Sequence, residues 1–111
     1  MKKLCVLLLL TVSLFANAKE YTFSPKDVPA MKQLLGSGNL QPGDAVVLKD
    51  GAYHNLEEIH FTGKGVSGKP IVWRAENPGK AVISGKLRLK IYGEYLQLED
   101  LLFYKAWAIG H

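Results

Sequence analysis

The sequence predicts an all-β chain wound as a right-handed parallel β-helix, and the first sign is a repeat. Short β-branched runs return at a nearly constant step: Val46-Val47-Leu48, then Ile71-Val72-Trp73, then Leu96-Gln97-Leu98. From 47 to 71 is 24 positions, and from 71 to 96 is 25. An offset series sets Ile59-His60-Phe61 against Val82-Ile83, with 59 and 83 again 24 apart. Turn formers punctuate the runs: Asp50-Gly51, Gly63-Lys64-Gly65, Gly68-Lys69-Pro70, Asn77-Pro78-Gly79, Gly85 and Gly93. Short strands at a period of about 20 to 30 residues mark a solenoid, whose repeats bury apolar surface against their neighbours. A sandwich of this length would need hairpins, and no two-residue Asn-Gly or Asp-Gly link joins alternating runs. Asp50-Gly51 comes closest, but residues 52–56 alternate too poorly to form a return strand.

The first eighteen residues read as a secretory leader. Lys2 and Lys3 form a basic start, residues 4–15 are apolar, and Ala16-Asn17-Ala18 is an A-x-A cleavage site. The apolar run is too short for a membrane span, which takes about 20 residues. No small-residue box precedes Cys5, so it does not read as a lipid-anchored cysteine. Removing eighteen of 111 residues leaves 93 and no cysteine, which fits bacterial export better than a disulfide-stapled extracellular module. The formal charge falls from +4 to +2, because Lys2 and Lys3 leave and no acid does. No long block of like charge remains, which argues against nucleic-acid binding. The expected location is secreted or periplasmic, with no membrane attachment after cleavage.

Three segments follow: leader 1–18, an N-terminal cap 19–42 with a short helix, and the first rungs of the β-helix over 43–111, incomplete at the C-terminal end. Tyr21 and Phe23 alternate with polar neighbours, so residues 19–23 suit a short edge strand. Ser24-Pro25-Lys26-Asp27 has capping-box character, and Met31, Leu34 and Leu35 fall on one helical face. The spacing predicts a helix over about 28–35, stopped by Gly36, that covers the first open sheet edge. Pro42-Gly43-Asp44 turns the chain into residues 45–48, and Glu76-Asn77-Pro78-Gly79 turns it into 81–84. Over 86–91, Leu87, Leu89 and Ile91 take one strand face, while Lys86, Arg88 and Lys90 take the other.

The run Leu40-Gln41-Pro42-Gly43-Asp44-Ala45-Val46-Val47-Leu48-Lys49-Asp50-Gly51-Ala52-Tyr53 is similar to the opening of the chondroitinase-B-like and alginate lyases, polysaccharide lyase family 6. So is the run from Gly68-Lys69-Pro70-Ile71-Val72-Trp73 through Asn77-Pro78-Gly79 to Ile83-Ser84-Gly85, and Tyr95-Leu96-Gln97-Leu98-Glu99-Asp100-Leu101-Leu102-Phe103 resembles the family's next rung. The resemblance covers roughly residues 40–103 and rests on the motifs in combination. It implies a secreted β-helical enzyme that cleaves acidic polysaccharide by β-elimination. A calcium ion neutralises the uronate carboxylate, a lysine removes the C5 proton and an arginine assists the leaving side. Withdrawing charge from that carboxylate is what allows negative charge to build beside it. The family's lysine, arginine and acidic ligands sit in later turns, so no catalytic or metal-binding residue carries over to this chain. It resembles an N-terminal piece, expected to be inert alone.

Among residues that could carry chemistry, Lys86, Arg88 and Lys90 have the spacing to track the carboxylates of an anionic polysaccharide. An outward strand face that needs only to be wetted explains them better. Glu58 and His60 share a strand face beside His54 and Glu57, but two ligands are too few for a closed metal site. Glu99 and Asp100 are adjacent, so in a strand they point to opposite faces, and a solvated turn suits them better than a catalytic pair. Trp73, Tyr53, Tyr92, Tyr95 and Trp107 could stack on sugars, with core packing or rim cover the default for each. A non-catalytic carbohydrate-binding β-helix is the alternative to a lyase fragment.

Overall fold

The computed structural model describes residues 18–108; the leader reading at 1–17, Cys5 included, and the side chain of Trp107 lie outside what is described. The chain enters through β1 (Glu20–Phe23), a 3-10 turn (Pro25–Asp27) and α1 (Val28–Ser37). Seven strands follow: β2 (Ala45–Leu48), β3 (Gly51–His54), β4 (Glu57–Lys64), β5 (Ile71–Ala75), β6 (Ala81–Glu94), β7 (Leu96–Glu99) and β8 (Leu102–Ala108).

Every pairing between these strands is parallel. One sheet runs β1-β2-β5-β7, with Glu20 opposite Ala45, Val46 opposite Trp73, and Trp73 opposite Leu98. In the other, the 14-residue β6 pairs its first part with β3 and its second with β4, and β8 lies along it as well. The one antiparallel bridge among the described residues, Val66 to Lys69, is local to a loop. Each strand thus hydrogen-bonds to a strand some 20 to 30 positions on, as the repeat requires.

Two registers differ from expectation: Val47 lies opposite Arg74, not Ile71, because the loop before β5 sets a step of 27, and the second difference lies between β4 and β6. Ile59 lies opposite Leu89, not Ile83, and Ile83 lies opposite Tyr53. The physical reason is Gly85, which reads as a break in the sequence but turns the strand instead. At φ +83 it lets β6 round a corner without ending. Asn55, directly beneath, secures that corner: its amide donates to the Ser84 carbonyl at 2.8 Å, and its side-chain oxygen accepts from the Lys86 amide at 2.8 Å.

The helix differs at its end. It runs through Gly36 to Ser37 and stops at Gly38, whose φ of 76 supplies the left-handed cap. Gly36 stays within the helix, where a Cβ would meet the His60 Cβ at an ordinary contact distance of 3.5 Å. At the start of the turn, the Asp27 carboxylate accepts from the Ser24 amide at 3.1 Å and its hydroxyl at 2.8 Å, which holds the Asp27 carboxyl below its ordinary range. Met31 and Leu35 are buried, α1 packs on β4, and Lys32 Nζ donates to the Leu56 carbonyl at 2.9 Å. The helix therefore covers β4, while β1 covers β2.

Inward residues alternate along the strands, with Ile71, Trp73 and Ala75 of β5 and Ile59 and Phe61 of β4 fully or almost fully buried. Trp73 meets Phe61 edge-on, with centroids 6.3 Å apart at 77°. Tyr53 is buried with its hydroxyl donating to the Lys49 carbonyl at 2.7 Å, and burial pushes that phenol up to about 12. The apolar face of β6 does not stay closed: Leu87 is buried, Leu89 half-buried and Ile91 51% exposed. Leu87 is the last β6 residue with a partner on the described part of β8.

Candidate functional site

The outer face of β4 and β6 gathers a cluster of charged side chains. Parallel register sets Glu58 opposite Arg88, His60 opposite Lys90, Thr62 opposite Tyr92 and Lys64 opposite Glu94. Glu58 Oε2 lies 3.5 Å from Arg88 Nη1 and 3.4 Å from Lys90 Nζ, and Oε1 lies 3.5 Å from His60 Nε2. The hydrogen bond and charge of Lys90, with His60 adding to them, hold the Glu58 carboxyl below its usual range. All four side chains remain well exposed, so the cluster is held by modest, salt-screened attraction. The His60 and Tyr92 rings stand 5.8 Å apart, and beyond Tyr92 the face opens on a groove of about 560 Å³, lined by Leu40, Pro42, Thr62, Lys64, Tyr92 and Gly93.

Lys86, Arg88 and Lys90 therefore share an outward face, but they are not equivalent. Arg88 and Lys90 are clasped by Glu58, whereas Lys86 is exposed and forms no ion pair among the described residues. Sequence reasoning missed Glu58 as their partner, because placing Ile83 beside Ile59 puts Val82 beside Glu58. The corrected register was the missing signal. Of the aromatic candidates, Trp73 and Tyr53 belong to the core, while Tyr92 and Tyr95 are half-exposed. Asp100 lies at the turn beside Gly79, whose amide donates to its carbonyl at 2.9 Å.

The calcium that the family resemblance implies does not fit these residues. Among those described, no three His, Cys, Asp or Glu side chains gather to hold an ion, and the Glu58/His60 pair is already occupied with Arg88 and Lys90. Nor is any described helix long and apolar enough to cross a membrane.

An all-parallel, mostly strand protein with a cation-rich outer face is the class these features define. The sequence profile of the family described as Chondroitinase B matches residues 30–109. Among solved structures, a mannuronic-acid-specific polysaccharide family 6 lyase from human gut microbiota is 97% identical over 84% of this chain, with a TM-score of 0.82. The match takes in 21% of that lyase, so this chain spans about a fifth of its length. The family 6 alginate lyase AlyGC is 26% identical over 82% of this chain and 12% of its own, with a TM-score of 0.66. Pedsa3628, a family 6 polysaccharide lyase from Pseudopedobacter saltans, is also 26% identical, over 82% of this chain and 19% of its own, at 0.58. No curated protein sequence matches. The chain belongs to the chondroitinase B family, polysaccharide lyase family 6.

Proposed function

We propose that this chain supplies the cap and first turns of an exported, right-handed parallel β-helical lyase that cleaves anionic polysaccharide by calcium-assisted β-elimination. Alginate is the first substrate and dermatan-type glycosaminoglycan the second. The carrying observation is the 97% identity to a mannuronic-acid-specific lyase, which favours mannuronate-rich alginate. The leader reading supports a secreted or periplasmic location. The calcium ligands, lysine base and arginine that the resemblance implies belong to later turns than residues 18–108. The chain alone is expected to be inert. Incubated with polymannuronate and calcium, it should give no rise at the unsaturated-uronate absorbance; a clear calcium-dependent rise would overturn this.

What the described residues offer is a binding face. Lys86, Arg88 and Lys90 meet the carboxylates of the polymer, and Glu58 competes for two of them. Glu58→Gln should therefore strengthen retardation in alginate gels by about 2- to 5-fold, and alanine at all three cations should remove most of it, since exposed ion pairs contribute up to about 1 kcal/mol each. Both effects should fade with added salt. Unchanged mobility in both variants would remove the face from the proposal. Retention without lyase absorbance is also the signature of the alternative, a non-catalytic carbohydrate-binding protein.

A further inference from the structure

The turn before β2 buries a carboxylate that has no counter-ion among the described residues. Asp44 is 2% exposed; its Oδ2 accepts from the Gln41 amide at 2.8 Å, and its Oδ1 accepts from the Lys19 nitrogen at 2.9 Å. No lysine, arginine or histidine among the described residues forms an ion pair with it. A buried carboxylate held only by neutral donors is costly, and an opposite charge at one of its oxygens would offset much of that cost. Lys19 is also the residue that cleavage after Ala16-Asn17-Ala18 would expose as a new terminus.

We infer that Asp44 is the receptor for the N-terminus created by leader removal, a reading that rests on the export assignment above. Hydrolysis by an export peptidase adds water across the Ala18–Lys19 bond. The hydroxyl goes to the Ala18 carbonyl carbon and a proton to the Lys19 nitrogen, which takes up a second proton from solvent. The donor at Oδ1 changes from an amide to an α-ammonium, and the hydrogen bond becomes an ion pair. The sheet places that nitrogen: the Ala45 amide donates to the Lys19 carbonyl at 2.9 Å, and β1 pairs with β2 from Glu20 onward. The charged groups on the elements meeting there are the Lys19 side chain, Glu20, Arg74 and Lys69. Arg74 is engaged by Glu20 at 2.7 Å, and Lys69 contributes its carbonyl to the Gly43 amide at 3.1 Å. Before cleavage the described residues leave this carboxylate without an ion-pair partner, and processing supplies one and completes the docking of β1.

The pair should raise the α-amine above its ordinary range of about 7.7 to 8.0, and each unit of rise is tenfold in the folding equilibrium. A raised folded-state value stabilises fully below the unfolded one, and that contribution is lost as pH climbs through the folded value. The test exports the chain with its own leader from a bacterial host, reads the first residue by mass spectrometry, and titrates the α-amine by NMR after α-15N-lysine labelling. The expected product begins at Lys19, and its α-amine titrates at least about one unit high. Asp44→Asn should return it to the ordinary range. Because that substitution could prevent folding, a second protein keeps Asp44 and carries one glycine before Lys19. It should lack the loss of unfolding midpoint that the Lys19-start protein shows between about pH 8 and 10. A different first residue overturns the export reading and the inference with it. A Lys19 start with an ordinary α-amine, or identical pH profiles for the two proteins, overturns the ion pair alone.

Discussion

Trp73→Ala is expected to cost about 3–5 kcal/mol, among the largest losses any single truncation in this chain would produce. Trp73 stands fully buried at the middle of an inward column, opposite Val46 on one side and Leu98 on the other, with Phe61 edge-on across the core. In parallel stacked strands that column is where one turn meets the next, so a cavity there separates layers that few other contacts hold together. Against a total stability of about 5–15 kcal/mol, such a loss leaves little or nothing. Trp73→Phe should do much better, for two reasons. It keeps most of the volume, and it removes the indole Nε1, a buried donor with no hydrogen-bond partner among the described residues. An unsatisfied donor costs about 1–3 kcal/mol, so losing it offsets part of the lost packing. Urea unfolding monitored by far-ultraviolet circular dichroism, read as a change in midpoint at constant slope, measures both variants. A loss of less than about 1 kcal/mol for Ala would show that Trp73 is not tightly packed.

Much of this arrangement was legible because parallel strands repeat their inward residues and break at recognisable turns. The pairing of Ile71 with Leu96 follows directly from the step of 25. The pairing of β4 with β6 did not, because the two sheets use different steps: Ala45 reaches Val72, but Glu57 reaches Leu87. Loop lengths set those steps, and apolar alternation cannot choose between Val82-Ile83 and Leu87-Leu89 as partners for Ile59, since both alternate. The helix end failed for a related reason. Gly36 and Gly38 are equally good stops locally, and it is Gly38 that takes the left-handed conformation, at φ 76, while Gly36 stays helical. The site followed the same division. Period-two reasoning found the cations Lys86, Arg88 and Lys90, whereas the role of Glu58 depended on a register between distant strands. Asp44 read as an ordinary turn residue because the donor that meets its second oxygen, Lys19, lies 25 positions away.

Gly85→Ala should test the corner that sets this register, at an expected cost of about 2–5 kcal/mol. Two effects combine. At φ +83 an L residue is strained, by about 1–2 kcal/mol. In addition, the new Cβ would collide with the Asn55 side-chain oxygen and lie 2.8 Å from His54 Cε1, which is overpacking of about 1–3 kcal/mol. The His54 ring is itself tied to Ser84, Nδ1 to Oγ at 3.0 Å, and Asn55 holds the Lys86 amide, so neither neighbour can withdraw without breaking a bond of the corner. Asn55→Ala separates the two effects. Alone it should cost about 1 kcal/mol, from the lost bond to Lys86. In the Gly85→Ala background it should cost clearly less, because it also clears space for the added methyl, leaving an interaction energy of at least about 0.5 kcal/mol. Strict additivity would mean that alanine at 85 never meets Asn55, and the continuous course of β6 from the partner of β3 to the partner of β4 would need another cause. Coupling would tie the corner to the proposed binding face, since the same turn delivers Lys86, Arg88 and Lys90 to the outer side of the sheet.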